Sequence, residues 1–293
     1  MRLLFPDIAK PLPGQGGGHP DDNATDYMMV EPRGSDVTIF CFSGMAMRLG
    51  GVPVFEFRKL LEKHGKDYNV VFFRDVHNVA FHLTPDGEPG GRDFYEAKIR
   101  ELMVSLGAKY NVTMGASGGA SAAIYYATRC RMDRAIAFSP AFPLSNWVSP
   151  GARWRIYLDF KKLVMHPYDY FEVLLVALAV RILDIDMRER VGIENVWDIV
   201  GEYERSPAPR PPVAIVHGKD CRPDGRIAAT MAQFPEVELC PLPTGCHGGP
   251  AYLKRRGQLA PLVLEQVGKA ITMSDDSRRA QPVANRHATI EPS

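Results

Sequence analysis

The stretch YNVTMGASGGASAAIYYA, residues 110–127, constrains the fold more tightly than any other part of this 293-residue chain. An apolar, β-branched run from Tyr110 to Met114 meets Gly115-Ala116-Ser117-Gly118-Gly119, and an alanine-rich run follows at once. The reading is strand, sharp turn, helix. Glycines two before and two after Ser117 remove side chains where strand and helix crowd together. A strand apolar for most of its length is expected to be buried on both faces, which is the habit of parallel sheets covered by helices.

The rest of the chain repeats that alternation. Val37–Phe42, Asn69–Phe73, Arg134–Phe138, Pro212–Val216 and Val237–Cys240 read as further buried strands. Val54–His64, Arg92–Leu106, Gly118–Thr128, Gly225–Gln233 and Pro250–Lys269 have the length and apolar spacing of covering helices. The expected class is α/β, with a mostly parallel central sheet flanked by helices. Its core spans residues 36–142 and 206–271. Residues 143–205 are aromatic and helix-like without a convincing strand, and are read as a helical cap insertion, the alternative being a helical pair that extends the core. Residues 1–35, rich in Gly, Pro and Asp, are read as an irregular arm. Residues 272–293 are read as a disordered tail.

Charge narrows the partners. With 35 Lys and Arg against 34 Asp and Glu the net charge is +1, so no global field draws in nucleic acid or an anionic membrane. The longest apolar stretch, Phe171–Val180, contains Glu172 and falls short of the ~20 residues that cross a bilayer. No membrane span is expected. The five cysteines are scattered, odd in number and without a CxxC pair, so neither zinc nor redox work is indicated. The opening MRLLFPDIAK has too short an apolar run for a secretion signal. Reduced thiols in a cytoplasmic protein are the expectation.

Ser117 sits where a reactive serine is held exposed above a sheet, and a serine hydroxyl needs a base to take its proton and a carboxylate to orient that base. His247, between Gly245 and Gly248-Gly249, follows the last strand. Asp220 lies just past the strand ending VHG, and Asp224 is its rival, although Pro223-Asp224-Gly225 also reads as a turn into a helix where Asp would cap. His217, inside VHG, is expected to be buried beside the sheet. The order Ser, Asp, His, each residue at the end of its own strand, resembles the α/β-hydrolase superfamily over Val37–Lys269. The resemblance implies catalysis by Ser117, His247 and Asp220, with an oxyanion hole built from the Gly118 N–H and a donor after the first strand, for which Met45 is chosen. No HGGG sequence of the lipase type is present.

A polar cluster, Arg74-Asp75-Val76-His77-Asn78, follows the second strand at the edge where such folds bind ligands. Arg74 and His77 are candidates for binding substrate. The expected function is hydrolysis of a small-molecule ester, a polar or sugar-bearing substrate among the candidates, through an acyl-enzyme, with no cofactor and no metal. Two alternatives stay open: acyl transfer from the same site, and a non-catalytic accessory protein on the hydrolase fold. Trp147, Trp154, Tyr157, Tyr168, Tyr170 and Trp197 in the insertion read first as its own core and second as a substrate wall.

Overall fold

The computed structural model describes residues 26–44, 55–141, 164 and 198–280. Seven strands form one sheet: β1 (Met28–Glu31), β2 (Val37–Phe42), β3 (Asn69–Phe73), β4 (Tyr110–Ala116), β5 (Arg134–Phe138), β6 (Val213–Gly218) and β7 (Val237–Leu242). Their order is β1-β3-β2-β4-β5-β6-β7. All neighbours run parallel except β1, which pairs antiparallel with β3 through Met28↔Phe73 to Glu31↔Val70. The helices are α1 (Arg58–His64), α2 (Gly91–Leu106), α3 (Gly118–Cys130), α4 (Ile199–Arg205), α5 (Arg222–Met231), α6 (Gly249–Arg255) and α7 (Leu259–Ala280).

Alternating side chains divide the core into two layers. Phe40, Phe42, Val71, Phe73, Ala135 and Ala137 face α2, α3, α4 and α5. Ile39, Cys41, Val70, Phe72, Ile136 and Phe138 face α1, α6 and α7. Both faces are therefore dry, as the apolar strands required. The parallel strands all end on one edge, and that edge carries the loops to α3, α5 and α6.

Four expectations are corrected. The arm expected over residues 1–35 contains strand β1, whose half-buried residues are held by pairing with β3. The long helix expected over Pro250–Lys269 is two helices, α6 and α7, with Gly257 at φ 67° between them. The tail expected from residue 272 is helical as far as Ala280. Lys109 and Tyr110 hydroxyl meet Asp275 at 2.8 and 2.7 Å, and Asp133 takes a hydrogen bond from Ser274. Finally, residues 199–205 of the supposed insertion form α4, which buries Ile199 and Tyr203 in the core and stacks Tyr203 edge-on against Phe234. Apart from Val164 and residues 198–205, the cap expected over residues 143–205 lies outside the described residues, with its three tryptophans and with Tyr157, Tyr168 and Tyr170. Residues 281–293 of the tail lie outside them too.

Candidate active site

The turn between β4 and α3 is as tight as its glycines imply. A side-chain carbon at Gly115 would stand 2.2 Å from the Gly119 carbonyl oxygen, and one at Gly119 would stand 2.2 Å from that of Phe42. Only hydrogen fits at either place. Ser117 lies between them at φ 53°, ψ −120°, a backbone that L residues adopt at a cost of about 1–3 kcal/mol. Its amide is fixed by the Phe138 carbonyl at 2.9 Å, and the residue is half-buried. Gly118 opens α3, so its N–H belongs to the first turn and has no acceptor within the helix.

His247 reaches Ser117 from the loop after β7. That loop is knitted to the one after β6: Lys219 N–H donates to the Leu242 carbonyl at 2.9 Å and Asp220 N–H to the Thr244 carbonyl at 3.1 Å. Within it, Cys246 N–H donates to Thr244 Oγ1 at 3.2 Å. The imidazole is buried, with Nε2 3.0 Å from Ser117 Oγ and Nδ1 2.7 Å from Asp224 Oδ1. Hydroxyl, imidazole and carboxylate thus form one continuous chain. The expectation for the acid is corrected here: Asp220 is exposed beyond β6, and Asp224 is the carboxylate on His247. Helix α5 starts at Arg222, three residues before the expected Gly225, with Pro223 in its first turn. This early start winds Asp224 inward to complete burial instead of leaving it on an outer turn.

Beside this chain lies a group that the reading of the sequence did not single out. Cys221 caps the start of α5 and is buried, and its ligand atom lies with those of Asp224 and His247 within 4.8 Å of one another. Burial, and then the charge of Asp224, push its thiol far up, so it is neutral. The second oxygen of Asp224, Oδ2, is buried with no hydrogen-bond donor. Ser139, at the end of β5, is likewise strained and buried, with φ 49° and an unbonded hydroxyl.

The loop after β2 packs against the turn from the other side. Gly44 N–H donates to Glu56 Oε2 at 3.0 Å, so this amide is occupied. Burial raises the Glu56 carboxyl to about 7, against the lowering effect of the Gly44 hydrogen bond. Met45, chosen as the second oxyanion donor, lies outside the described residues. Arg74 and His77 follow β3, which β2 separates from β4. Arg74 is buried, whereas His77 directs Nε2 to the Pro85 carbonyl at 2.9 Å. His217 is buried at the end of β6, as expected.

No protein-family model matches the chain, and no curated protein matches it by sequence. Solved structures do match. MenH from S. aureus aligns with 83% of this chain and 98% of its own, at 13% identity and a TM-score of 0.51. A candidate esterase from Staphylococcus aureus aligns over 82% and 78%, at 13% identity and a TM-score of 0.55. The glycosylation-associated protein complex Gap123 from Streptococcus agalactiae aligns over 85% of this chain and 47% of that one, at 13% identity and a TM-score of 0.51. At such identity the likeness is one of architecture. With its seven-stranded sheet and flanking helices, the chain has the fold of the α/β-hydrolase superfamily.

Proposed function

We propose that the protein is a serine hydrolase that cleaves a carboxylic ester of a small molecule. The observation that carries this reading is the chain Ser117 Oγ to His247 Nε2 at 3.0 Å and His247 Nδ1 to Asp224 Oδ1 at 2.7 Å, with Ser117 held strained at the end of β4. Asp224 keeps the Nδ1 proton in place, which leaves Nε2 as the acceptor. Ser117 Oγ adds to the ester carbonyl as its proton passes to Nε2. The carbonyl oxygen becomes an oxyanion held by the Gly118 N–H and, in this reading, by the Met45 N–H. Collapse expels the alkoxide, which takes the proton from His247. Water then repeats the sequence on the acyl-enzyme and frees the acid.

This mechanism draws on no cofactor. Arg74, at the end of β3 on the ligand-binding edge, is assigned to the polar part of the substrate, with His77 in a lesser role because its ring already serves Pro85. All five cysteines are free thiols, in keeping with a reducing, cytoplasmic setting. Among the described residues no helix is long and apolar enough to cross a membrane.

The test is covalent labelling with a fluorophosphonate. Wild type is expected to gain one adduct at Ser117 and to hydrolyse p-nitrophenyl acetate, and Ser117→Ala to do neither. A folded wild-type protein that resists labelling would overturn the reading. Adding alcohol acceptors to the assay separates hydrolysis from transfer, because transfer predicts that the acylated acceptor outweighs free acid.

A further inference from the structure

The environment of Asp224 offers more than an ester hydrolase needs. Its Oδ1 accepts from His247 at 2.7 Å, but Oδ2 is fully buried without a donor, which leaves half of a buried carboxylate unsatisfied. A third potential ligand, the Cys221 thiol, lies beside the same carboxylate. Sulfur, carboxylate oxygen and imidazole nitrogen fall within 4.8 Å of one another, and all three residues are buried.

We propose that Cys221, Asp224 and His247 form an inhibitory site for a thiophilic divalent cation, zinc or its analogue cadmium. A tetrahedral zinc ion holds sulfur at about 2.3 Å and nitrogen and oxygen at about 2.0–2.2 Å. Donors on such an ion stand roughly 3.3–3.7 Å apart, by the geometry of those bond lengths. The Nδ1–Oδ1 pair at 2.7 Å must open slightly, and the sulfur, already within 4.8 Å of both other ligand atoms, must settle at that spacing, both within side-chain adjustment. Thiolate, imidazole and carboxylate are a donor set that suits zinc, and water completes the fourth position.

The balance is simple. Before binding, the site holds one carboxylate, one neutral imidazole protonated on Nδ1 and one neutral thiol. The cation forms bonds to Sγ, to a carboxylate oxygen and to Nδ1. The thiol proton leaves to solvent, and the imidazole proton moves through solvent from Nδ1 to Nε2. One proton is released per cation, and the site passes from a net charge of −1 to neutral. With Nε2 protonated, His247 donates toward Ser117 instead of accepting from it, and general-base catalysis stops. Cation binding stands on the three ligands alone; its inhibitory consequence rests on the hydrolase reading given above.

The experiment titrates the purified full-length protein with cadmium and follows the ultraviolet thiolate-to-cadmium charge-transfer band. In parallel, zinc is titrated into the fluorophosphonate labelling reaction. Wild type is expected to show a saturable band at one equivalent and at least a tenfold fall in labelling rate, reversed by EDTA. Cys221→Ser and Cys221→Ala are each expected to lose the band and to need at least tenfold more zinc for half inhibition, relative to the metal-free rate of the same variant. The alanine variant keeps the test open if serine disturbs folding. A band that persists in a folded Cys221 variant assigns the metal to another cysteine and overturns the proposal, as does wild type that binds no cadmium. Zinc inhibition equal in wild type and both variants overturns it as well. If wild type shows the band but resists the fluorophosphonate, the cation site stands and the hydrolase reading falls.

Discussion

At Asp224 the consequence of a single carboxylate can be stated in numbers. Replacing an acid that orients a catalytic imidazole with its amide costs about 10⁴ in kcat, because the wrong tautomer is favoured. Asp224→Asn is therefore expected to lose three to four orders of magnitude in p-nitrophenyl ester hydrolysis, whereas Asp220→Asn, at an exposed position, should stay within about threefold of wild type. Comparable losses in the two variants would rule out the assignment of Asp224. Glu56 makes a separate prediction. Its carboxyl, buried against Gly44, is raised from 4.5 to about 7. Between those values the unfolded chain has lost this proton while the folded chain keeps it, so the folded state binds more protons and stability falls as pH rises. The rise from 4.5 to about 7 corresponds to at most about 3.4 kcal/mol, which the only half-buried position of Glu56 reduces. Glu56→Gln retains an acceptor for Gly44 N–H and removes the titration. Urea unfolding should find it about 1–2 kcal/mol more stable than wild type at pH 8, with the gap closing at pH 4.5. A gap independent of pH would show that burial does not raise this carboxyl.

Among the elements, the loop from β3 toward α2 is the most heavily organised. Asn78, Ala80 and Phe81 all have positive φ, at 52°, 55° and 62°. Three such residues in four positions persist only if the surroundings dictate them. Asp75 supplies that constraint, since its buried carboxylate accepts from His77 N–H at 3.1 Å and Phe81 N–H at 3.0 Å. Asp75→Ala removes the acceptors of two backbone donors and should cost about 2–4 kcal/mol in urea unfolding, with Asp75→Asn milder because it keeps one oxygen. Equal effects of the two would show that the loop does not depend on this carboxyl. Asp75 was visible in the sequence only as a member of the polar cluster from which Arg74 and His77 were taken as substrate candidates, because composition does not reveal which backbone amides need an acceptor. Strands β2 to β6 were legible because both their faces are buried, which leaves runs that are apolar for most of their length, whereas β7, half-exposed at the sheet edge, was read only as far as Cys240. Strand β1 was not legible, since four half-buried residues at a sheet edge differ from a loop only by their partner Asn69–Phe73. Ser117 and His247 were legible for a similar reason, as glycines mark the close approaches and loop turns that bring the two side chains together. Asp224 was an alternative only, because its role depends on α5 beginning at Arg222, and Pro223-Asp224-Gly225 reads equally well as a turn.

Taken as a whole, the molecule separates its chemistry from its last support. The parallel strands end at Ser117, Asp224 and His247, and they begin at a polar clamp made with α7. Arg134, buried at the start of β5, donates to Gln266 on α7 at 2.8 Å through Nε and also bonds Glu238 on β7. Further along the helix, Asp275 meets Lys109 and Tyr110 hydroxyl, and Arg278 donates to the Lys109 carbonyl at 2.8 Å with its guanidinium 5.1 Å from the Tyr110 ring. The polar residues after 271 carry no apolar period, so their helix exists through these tertiary contacts and not through local propensity. Each exposed pair contributes at most about 1 kcal/mol, so their joint loss should amount to about 1–3 kcal/mol. Truncation after Ile271 is accordingly expected to lower the melting temperature by about 2–12 °C, on the scaling of roughly 2–4 °C per kcal/mol for a chain of this size. The triad stands at the opposite edge of the sheet, so kcat measured well below that transition should match the full chain. A truncation that left the melting temperature unchanged would show that the clamp ends at Arg134 and Gln266. One that cut kcat in the fully folded protein would show instead that α7 transmits its position through the sheet to the loops of the active site.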